Sequence, residues 1–389
     1  MQLETDLLHI GRPQSGPASV NPPVVRTSTV TFDSLAQMRD TKRRREQGER
    51  PFSYGRRGTP TTYALEDAVS RLEGAEQTLL TPSGVAAINL VLMTLARPGA
   101  QIIVADSVYQ PLRRIVDGWL RPWGVRVDYF DGSVAHLQSL LTDDTCLVYT
   151  EVPGSLVYEM QDLPALAALT SAREIPLVVD NTWASGVLMQ PLSLGATVSL
   201  MAGTKYVVGH SDVMMGSVSA NGETGRRLRE MAVTLGQSLS SDDAYLALRG
   251  LRTLACRMAA HGRHAEALGG WLCEQPRVAR VHQPCRPEHP GHAWWQRDFR
   301  GSNGLLTLEF ERDVSEAQVD ALVDSLALFG IGSSWGGYES LALPCNVAAA
   351  RSLSTEWSSR GPCLRLHIGL EAVEDLQADL VQAWQAVLR

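Results

Sequence analysis

No stretch of this sequence approaches 18 uninterrupted apolar residues, so a membrane-spanning helix is excluded. A basic excess is missing as well: 35 Lys and Arg stand against 42 Asp and Glu, a net charge of -7. Such a chain carries no electrostatic footprint for nucleic acid. Its one dense basic run, Lys42-Arg43-Arg44-Arg45, is followed by Glu46 and Glu49 and reads as a charged helix face. The six cysteines contain no CxxC and no short metal-ligand spacing, which points to reduced, mostly buried thiols in a cytoplasmic protein. The acidic start Met1-Gln2-Leu3-Glu4-Thr5-Asp6 has no basic-then-apolar segment, so no signal peptide is expected. The histidines at 282, 289 and 292 follow no strict ligand pattern, and no metal is expected there.

What the sequence does have is alternation. Apolar runs of four to six residues predict strands at 76–81, 101–105, 126–130, 145–150 and 176–180. Between them, helical patterns of about ten residues run over 63–73, the stretch after Ser83, 109–119, 133–141 and 163–173. This is the mark of an α/β fold with a mostly parallel central sheet, whose ligands gather beyond the carboxyl ends of the strands. Further on, a strand is expected within 213–220, a helix over 222–235 and one long helical stretch over 242–269, interrupted by Gly250 and Gly262. The prolines of Gly11-Arg12-Pro13 and Asn21-Pro22-Pro23 predict an extended N-terminal arm that wraps another surface. The expected organisation is therefore an arm over 1–55, a larger α/β domain over 56–248 and a smaller C-terminal α/β domain over 249–389.

Candidate chemistry centres on Lys205, in Gly203-Thr204-Lys205-Tyr206, downstream of the run Leu177-Val178-Val179-Asp180. A lysine flanked by Gly and Thr, with an acid closing a buried strand upstream, suits an imine to pyridoxal phosphate whose pyridine nitrogen meets the carboxylate. It equally suits an exposed lysine in a glycine-containing loop, and Asp180 suits a cap on its own turn. Ser83-Gly84-Val85 opens a helix after a strand, where free N–H groups and the helix dipole favour a phosphate; a plain turn plus N-cap reads the same way. Tyr109 follows the strand at 101–105, where a ring can stack on a planar group or simply pack. Tyr54-Gly55-Arg56-Arg57-Gly58 offers a phenol and guanidinium groups for a phosphate, or a surface turn. Arg365 is the one fixed charge in Leu364-Arg365-Leu366-His367-Ile368, suited to a substrate carboxylate or to an internal acid.

Taken together, six ordered motifs resemble the transsulfuration, or Cys/Met metabolism, family of pyridoxal phosphate enzymes, and within it the β-lyase branch. They are the Tyr54-Gly-Arg-Arg-Gly-Thr-Pro-Thr61 segment, Thr81-Pro-Ser-Gly84, Val179-Asp-Asn-Thr-Trp183, Gly203-Thr-Lys-Tyr-Val-Val-Gly-His-Ser-Asp212, Ser334-Trp-Gly-Gly-Tyr-Glu-Ser340 and Arg365-Leu-His-Ile-Gly-Leu-Glu371. The resemblance implies a PLP-dependent transferase-like fold of type I and a role in methionine biosynthesis. It implies that Lys205 holds the cofactor and carries protons, that Asp180 pairs with the pyridine nitrogen and that Tyr109 stacks on the ring and assists. The phosphate would be held by Ser83, Gly84, Val85 and Thr204, with Tyr54 and Arg56 reaching in from a neighbouring subunit of a homotetramer built as a dimer of dimers. Arg365, with Ser334 or Trp335, would clamp the α-carboxylate of a sulfur amino acid. The implied reaction is β-elimination of L-cystathionine to L-homocysteine, pyruvate and ammonia, with cystine and S-substituted cysteines as further substrates. A γ-synthase or γ-lyase is the alternative enzyme, and a protein that binds the cofactor without catalysis the alternative class. One departure stands out: where the family often has a phosphate-binding hydroxyl three residues before the lysine, this chain has Ala202.

Overall fold

The computed structural model describes residues 2–12 and 19–388 and contains two sheets. The larger has seven strands: β1 (Gln77–Thr81), β2 (Gln101–Ala105), β3 (Arg126–Phe130), β4 (Thr145–Glu151), β5 (Leu177–Asp180), β6 (Val198–Met201) and β7 (Gly216–Ala220). Their spatial order is β1-β7-β6-β5-β4-β2-β3. Only β7 runs against its neighbours, so the sheet is mixed but mostly parallel. Ile102, Ile103, Val104, Leu147, Val148, Leu177, Val178 and Val179 are all fully buried. Continuous apolar strands of this kind need helices on both faces, which the long intervening segments supply.

The smaller sheet has β8 (Val278–His282), β9 (Leu305–Phe310), β10 (Gly330–Ile331), β11 (Leu341–Cys345) and β12 (Cys363–His367), in the order β10-β11-β12-β9-β8. It is antiparallel except for the β10–β11 pair. Leu306, Leu308, Leu364 and Leu366 bury one face of it against the helices Glu316–Asp324 and Val373–Val387. The alternate residues Arg365 and His367 turn to the other face, toward the larger sheet.

Three expectations need correction. The N-terminal arm is not extended throughout: Leu3–His9 is a helix, with Leu7 buried and its end held by Arg252, which donates to the carbonyls of Leu7 and Ile10. Pro13, part of the argument for the arm, lies outside the described residues. The long stretch over 242–269 is two helices, Ser241–Leu251 and Leu254–Leu272. The break falls where buried Arg257 donates to the carbonyls of Gly250 and Tyr206, tying a helix end to the loop after Lys205. The cysteines are free, but Cys256 and Cys273 are exposed rather than buried. No helix among the described residues is long and apolar enough to cross a membrane.

Candidate active site

The carboxyl ends of β4 and β5 open onto a cavity of about 690 Å³, closed on its far side by β11 and β12 of the smaller sheet. Lys205, Asp180, Tyr109, Ser83, Gly84, Val85, Thr204, Trp335 and Arg365 all line it. Sequence positions from 83 to 365 thus converge because parallel strands deliver their following loops to one edge.

Lys205 points its amine at Ser334, whose Oγ lies 2.7 Å from Nζ, and sits 5.3 Å from the centre of the Trp335 ring. Burial, reinforced by the charge of Arg365, lowers its pKa to about 8. Asp180 is buried, and its Oδ1 accepts from the Thr182 amide at 3.0 Å and the Thr182 hydroxyl at 2.5 Å. It therefore does cap its own turn, as the plainer reading held, while its carboxylate also faces the cavity. Burial pushes its pKa up, and the bonds from Thr182 offset only part of that. Beside it in register stands Glu151, also on the cavity wall, whose carboxyl burial pushes well up, with Asp180 adding repulsion. Glu151 Oε2 accepts the Tyr109 amide at 2.6 Å.

The remaining groups complete the wall. Ser83 caps the helix Gly84–Leu95 by accepting from the Ala86 amide, which leaves the N–H groups of Gly84 and Val85 without intrahelical partners. Gly84 is required here: a Cβ would lie 2.5 Å from the Cβ of Ala202. Thr204 lines the cavity, yet its hydroxyl donates to Met215 O at 3.0 Å and accepts the Met215 amide at 2.9 Å, so its proton is already committed. Arg365 donates to the carbonyl of Ser334 at 3.2 Å, and among the described residues no carboxylate forms an ion pair with it. The internal-acid reading of Arg365 is thereby removed. Tyr54 and Arg56 do not line this cavity; Tyr54 is exposed, and Arg56 donates to Val233 O at 2.7 Å on another face.

A buried acid, a half-buried one beside it and a free helix N-terminus in one cavity describe a site built for something that is cationic at one end and anionic at the other. Protonated pyridine and phosphate are the two ends of pyridoxal phosphate, and the donors present fit both. Glu151 escaped sequence reasoning, although it closes the buried run Cys146-Leu147-Val148-Tyr149-Thr150 as Asp180 closes its own. A second groove, on the smaller sheet, is lined by charges that satisfy one another: Glu309 accepts from His282 at 2.9 Å and Arg360 at 3.1 Å.

The comparisons agree with this geometry. The family model for Cys/Met metabolism PLP-dependent enzymes matches residues 4–385. A cystathionine beta-lyase of Bordetella avium is 45% identical over 390 residues, covering 98% of this chain and 97% of the relative. The cystathionine beta-lyase of Escherichia coli K12 is 38% identical, covering 97% of each. Among solved structures, a cystathionine gamma synthase from Xanthomonas oryzae pv. oryzae in complex with cystathionine superposes with a TM-score of 0.90 at 32% identity, covering 100% of this chain and 99% of that one.

Proposed function

The chain belongs to the Cys/Met metabolism family of PLP-dependent enzymes, and from that premise we propose that it is a carbon–sulfur lyase cleaving L-cystathionine by β-elimination to L-homocysteine, pyruvate and ammonia. The observation that carries the reading is the half-buried Lys205 amine sharing one cavity with Asp180 and with Arg365, which pairs with no carboxylate among the described residues. Pyridoxal phosphate, when bound, supplies an aldehyde for an amine and a ring that draws charge from the substrate Cα.

The chain's own residues do the rest. A pKa lowered to about 8 raises the neutral share of Lys205 at pH 7 from roughly one in three thousand to roughly one in ten, enough to take a proton from Cα. The same amine can return that proton to the departing sulfur. Arg365 holds the α-carboxylate with a planar fork, and Ser334 orients the amine. Asp180 would hold the protonated pyridine nitrogen, and the Gly84 and Val85 amides would hold the phosphate. Tyr109, on the cavity wall, would pack against the ring, and Thr204 would contribute packing more than a proton. Tyr54 and Arg56 serve the phosphate of a neighbouring subunit in a homotetramer; their position outside their own chain's cavity supports that role. The arm, the 56–248 unit and the 249–389 unit are the proposed domains.

The test is a product assay of purified protein with L-cystathionine. Pyruvate with homocysteine is expected; 2-oxobutyrate with cysteine would assign the protein to the γ-cleaving branch. Lys42 and Lys205 are the only lysines in the chain, so borohydride fixation followed by peptide mapping has two possible sites. The label is expected at Lys205, and Lys205→Ala should lose both the label and at least about a thousandfold in kcat.

A further inference from the structure

The loop that carries Ser334 and Trp335 is supported by a buried histidine that none of the chemistry above uses. His367 lies on β12, 1% exposed, two residues past Arg365. Its Nδ1 is 3.0 Å from the carbonyl of Glu339 and its Nε2 is 3.0 Å from the amide of Gly336. A carbonyl only accepts and an amide only donates, so the ring must carry its proton on Nδ1 and present a lone pair on Nε2. One neutral tautomer satisfies both partners, and protonation would break the bond from Gly336. Burial lowers the pKa of His367 far below the ordinary range, and His261 and Arg365 push the same way. The rings of Tyr206 and His261, with centres 5.9 Å and 5.2 Å away, pack around it.

What this ring holds is the start of the loop. Gly336 has φ +91°, and a Cβ there would lie 2.8 Å from the carbonyl carbon of Lys205 and 2.9 Å from its Cα. The loop backbone therefore rests directly on the backbone of the lysine. Two residues earlier, the Ser334 hydroxyl accepts from the Lys205 amine and the Ser334 carbonyl accepts from Arg365. Amine and guanidinium are thus both aligned by Ser334, and the stretch that places Ser334 is anchored on His367.

We propose that His367 is a positioning residue for the reaction: its two hydrogen bonds hold Ser334–Gly336 where Ser334 can orient both the Lys205 amine and the Arg365 guanidinium toward the substrate. The inference rests on the lyase reading for its substrate, but not for its geometry.

Three variants separate the two bonds. H367F keeps a ring and loses both; H367N retains a donor near the position of Nδ1; H367Q retains an acceptor near that of Nε2. Each holoenzyme is assayed with L-cystathionine and titrated with L-alanine, an amino acid without a leaving group, by the visible absorbance of the bound cofactor. Cofactor content, thermal midpoint and amide exchange over residues 334–340 are measured alongside. H367F is expected to lose about tenfold or more in kcat/KM and in L-alanine affinity at unchanged cofactor content, with faster exchange at Gly336, and H367N or H367Q should restore part of each loss. Wild-type values in H367F overturn the proposal, as does a loss of equal size in all three variants that tracks the thermal midpoint alone. Should H367F fail to fold, wild-type kinetics and exchange in both H367N and H367Q overturn it equally. Failure of the lyase reading looks different: the wild-type holoenzyme then releases no pyruvate from L-cystathionine, and the L-alanine titration and exchange measurement still decide the role of His367.

Discussion

Asp106 and Asp180 both stand at the carboxyl end of a buried parallel strand, the first just beyond β2 and the second closing β5, and both are nearly sealed from solvent at 4% and 6% exposure. Asp106 is surrounded by donors from its own chain: Arg113 at 2.8 Å, the Ser352 amide and hydroxyl at 2.9 and 2.6 Å, and the Leu353 amide at 3.1 Å. Burial alone would raise its pKa, but the hydrogen bonds from Ser352 and Arg113 outweigh it and hold the carboxyl below the usual range. Asp180 is met by the amide and hydroxyl of Thr182, and the Tyr149 hydroxyl also favours its charged form; no cation joins them among the described residues, so burial prevails and the pKa rises. The same kind of residue is completed by the protein in one place and left without a cation in the other, as the proposed cofactor-binding role of Asp180 requires. On that proposal, the difference in partners separates a structural carboxylate from a functional one more sharply than burial does.

The strongest challenge to this contrast is Asp180→Asn. It should lower kcat by about a hundredfold or more while leaving the thermal midpoint of the cofactor-free protein unchanged or raised, because it removes a buried charge lacking a cation. A large fall in that midpoint would show Asp180 to be structural. Asp106→Asn should do the reverse, destabilising by about 1–3 kcal/mol in a denaturant titration with kcat within about threefold of wild type.

The pH dependence follows with opposite signs. The Asp106 pKa is depressed on folding, so its contribution is present above the unfolded carboxylate value near about 4 and is lost as pH falls through the folded value. The stability gap between wild type and D106N should therefore close on acidification. The Asp180 pKa is raised on folding, so its penalty sets in as pH rises above about 4 and is complete only above the folded value. Cofactor-free D180N should gain on wild type as pH rises.

Arg365→Lys comes next, with KM for L-cystathionine rising by about tenfold and kcat changing less, since a point charge replaces a planar fork. Equal KM values would mean that Arg365 does not hold the carboxylate. The smallest effect belongs to Ala202→Ser, expected to change pyridoxal phosphate affinity by no more than about fivefold in an equilibrium titration. The methyl of Ala202 lies close to Gly84, so an added hydroxyl would have to rotate past that contact to reach a phosphate held on the Gly84 amide.

Much of the larger sheet was legible because its strands are short apolar runs bounded by turns; β2 and β3 fall on the expected residues. The strand β6 was not, since Val198-Ser199-Leu200-Met201 is brief and its serine is buried through a bond to Glu73, a partner 126 residues away. The strands β8 and β11 were missed for a related reason: both are partly exposed, and pairing with β9 and β12 makes them strands. Within the site, Lys205, Asp180 and Arg365 were visible as polar residues in unfavourable sequence company. The scarcity of lysine, with Lys42 on an exposed helix and Lys205 half-buried in the cavity, was a signal left unused. His367 could not be recognised at all, because a histidine in an apolar strand looks the same whether it merely fills space or spans two backbone groups of a distant loop.

The order of apolar runs and polar breaks was enough to determine by itself that this chain forms an α/β sheet with a cavity at its carboxyl edge, because strand burial and helix periodicity are local properties. Which charges would be neutralised by the chain and which left open was decided only in three dimensions. The donors that complete Asp106 come from residues 352 and 353, whereas among the described residues Asp180 is met by Thr182 and Tyr149 alone, and whether a buried carboxylate is stable or poised depends on partners that can lie hundreds of residues apart.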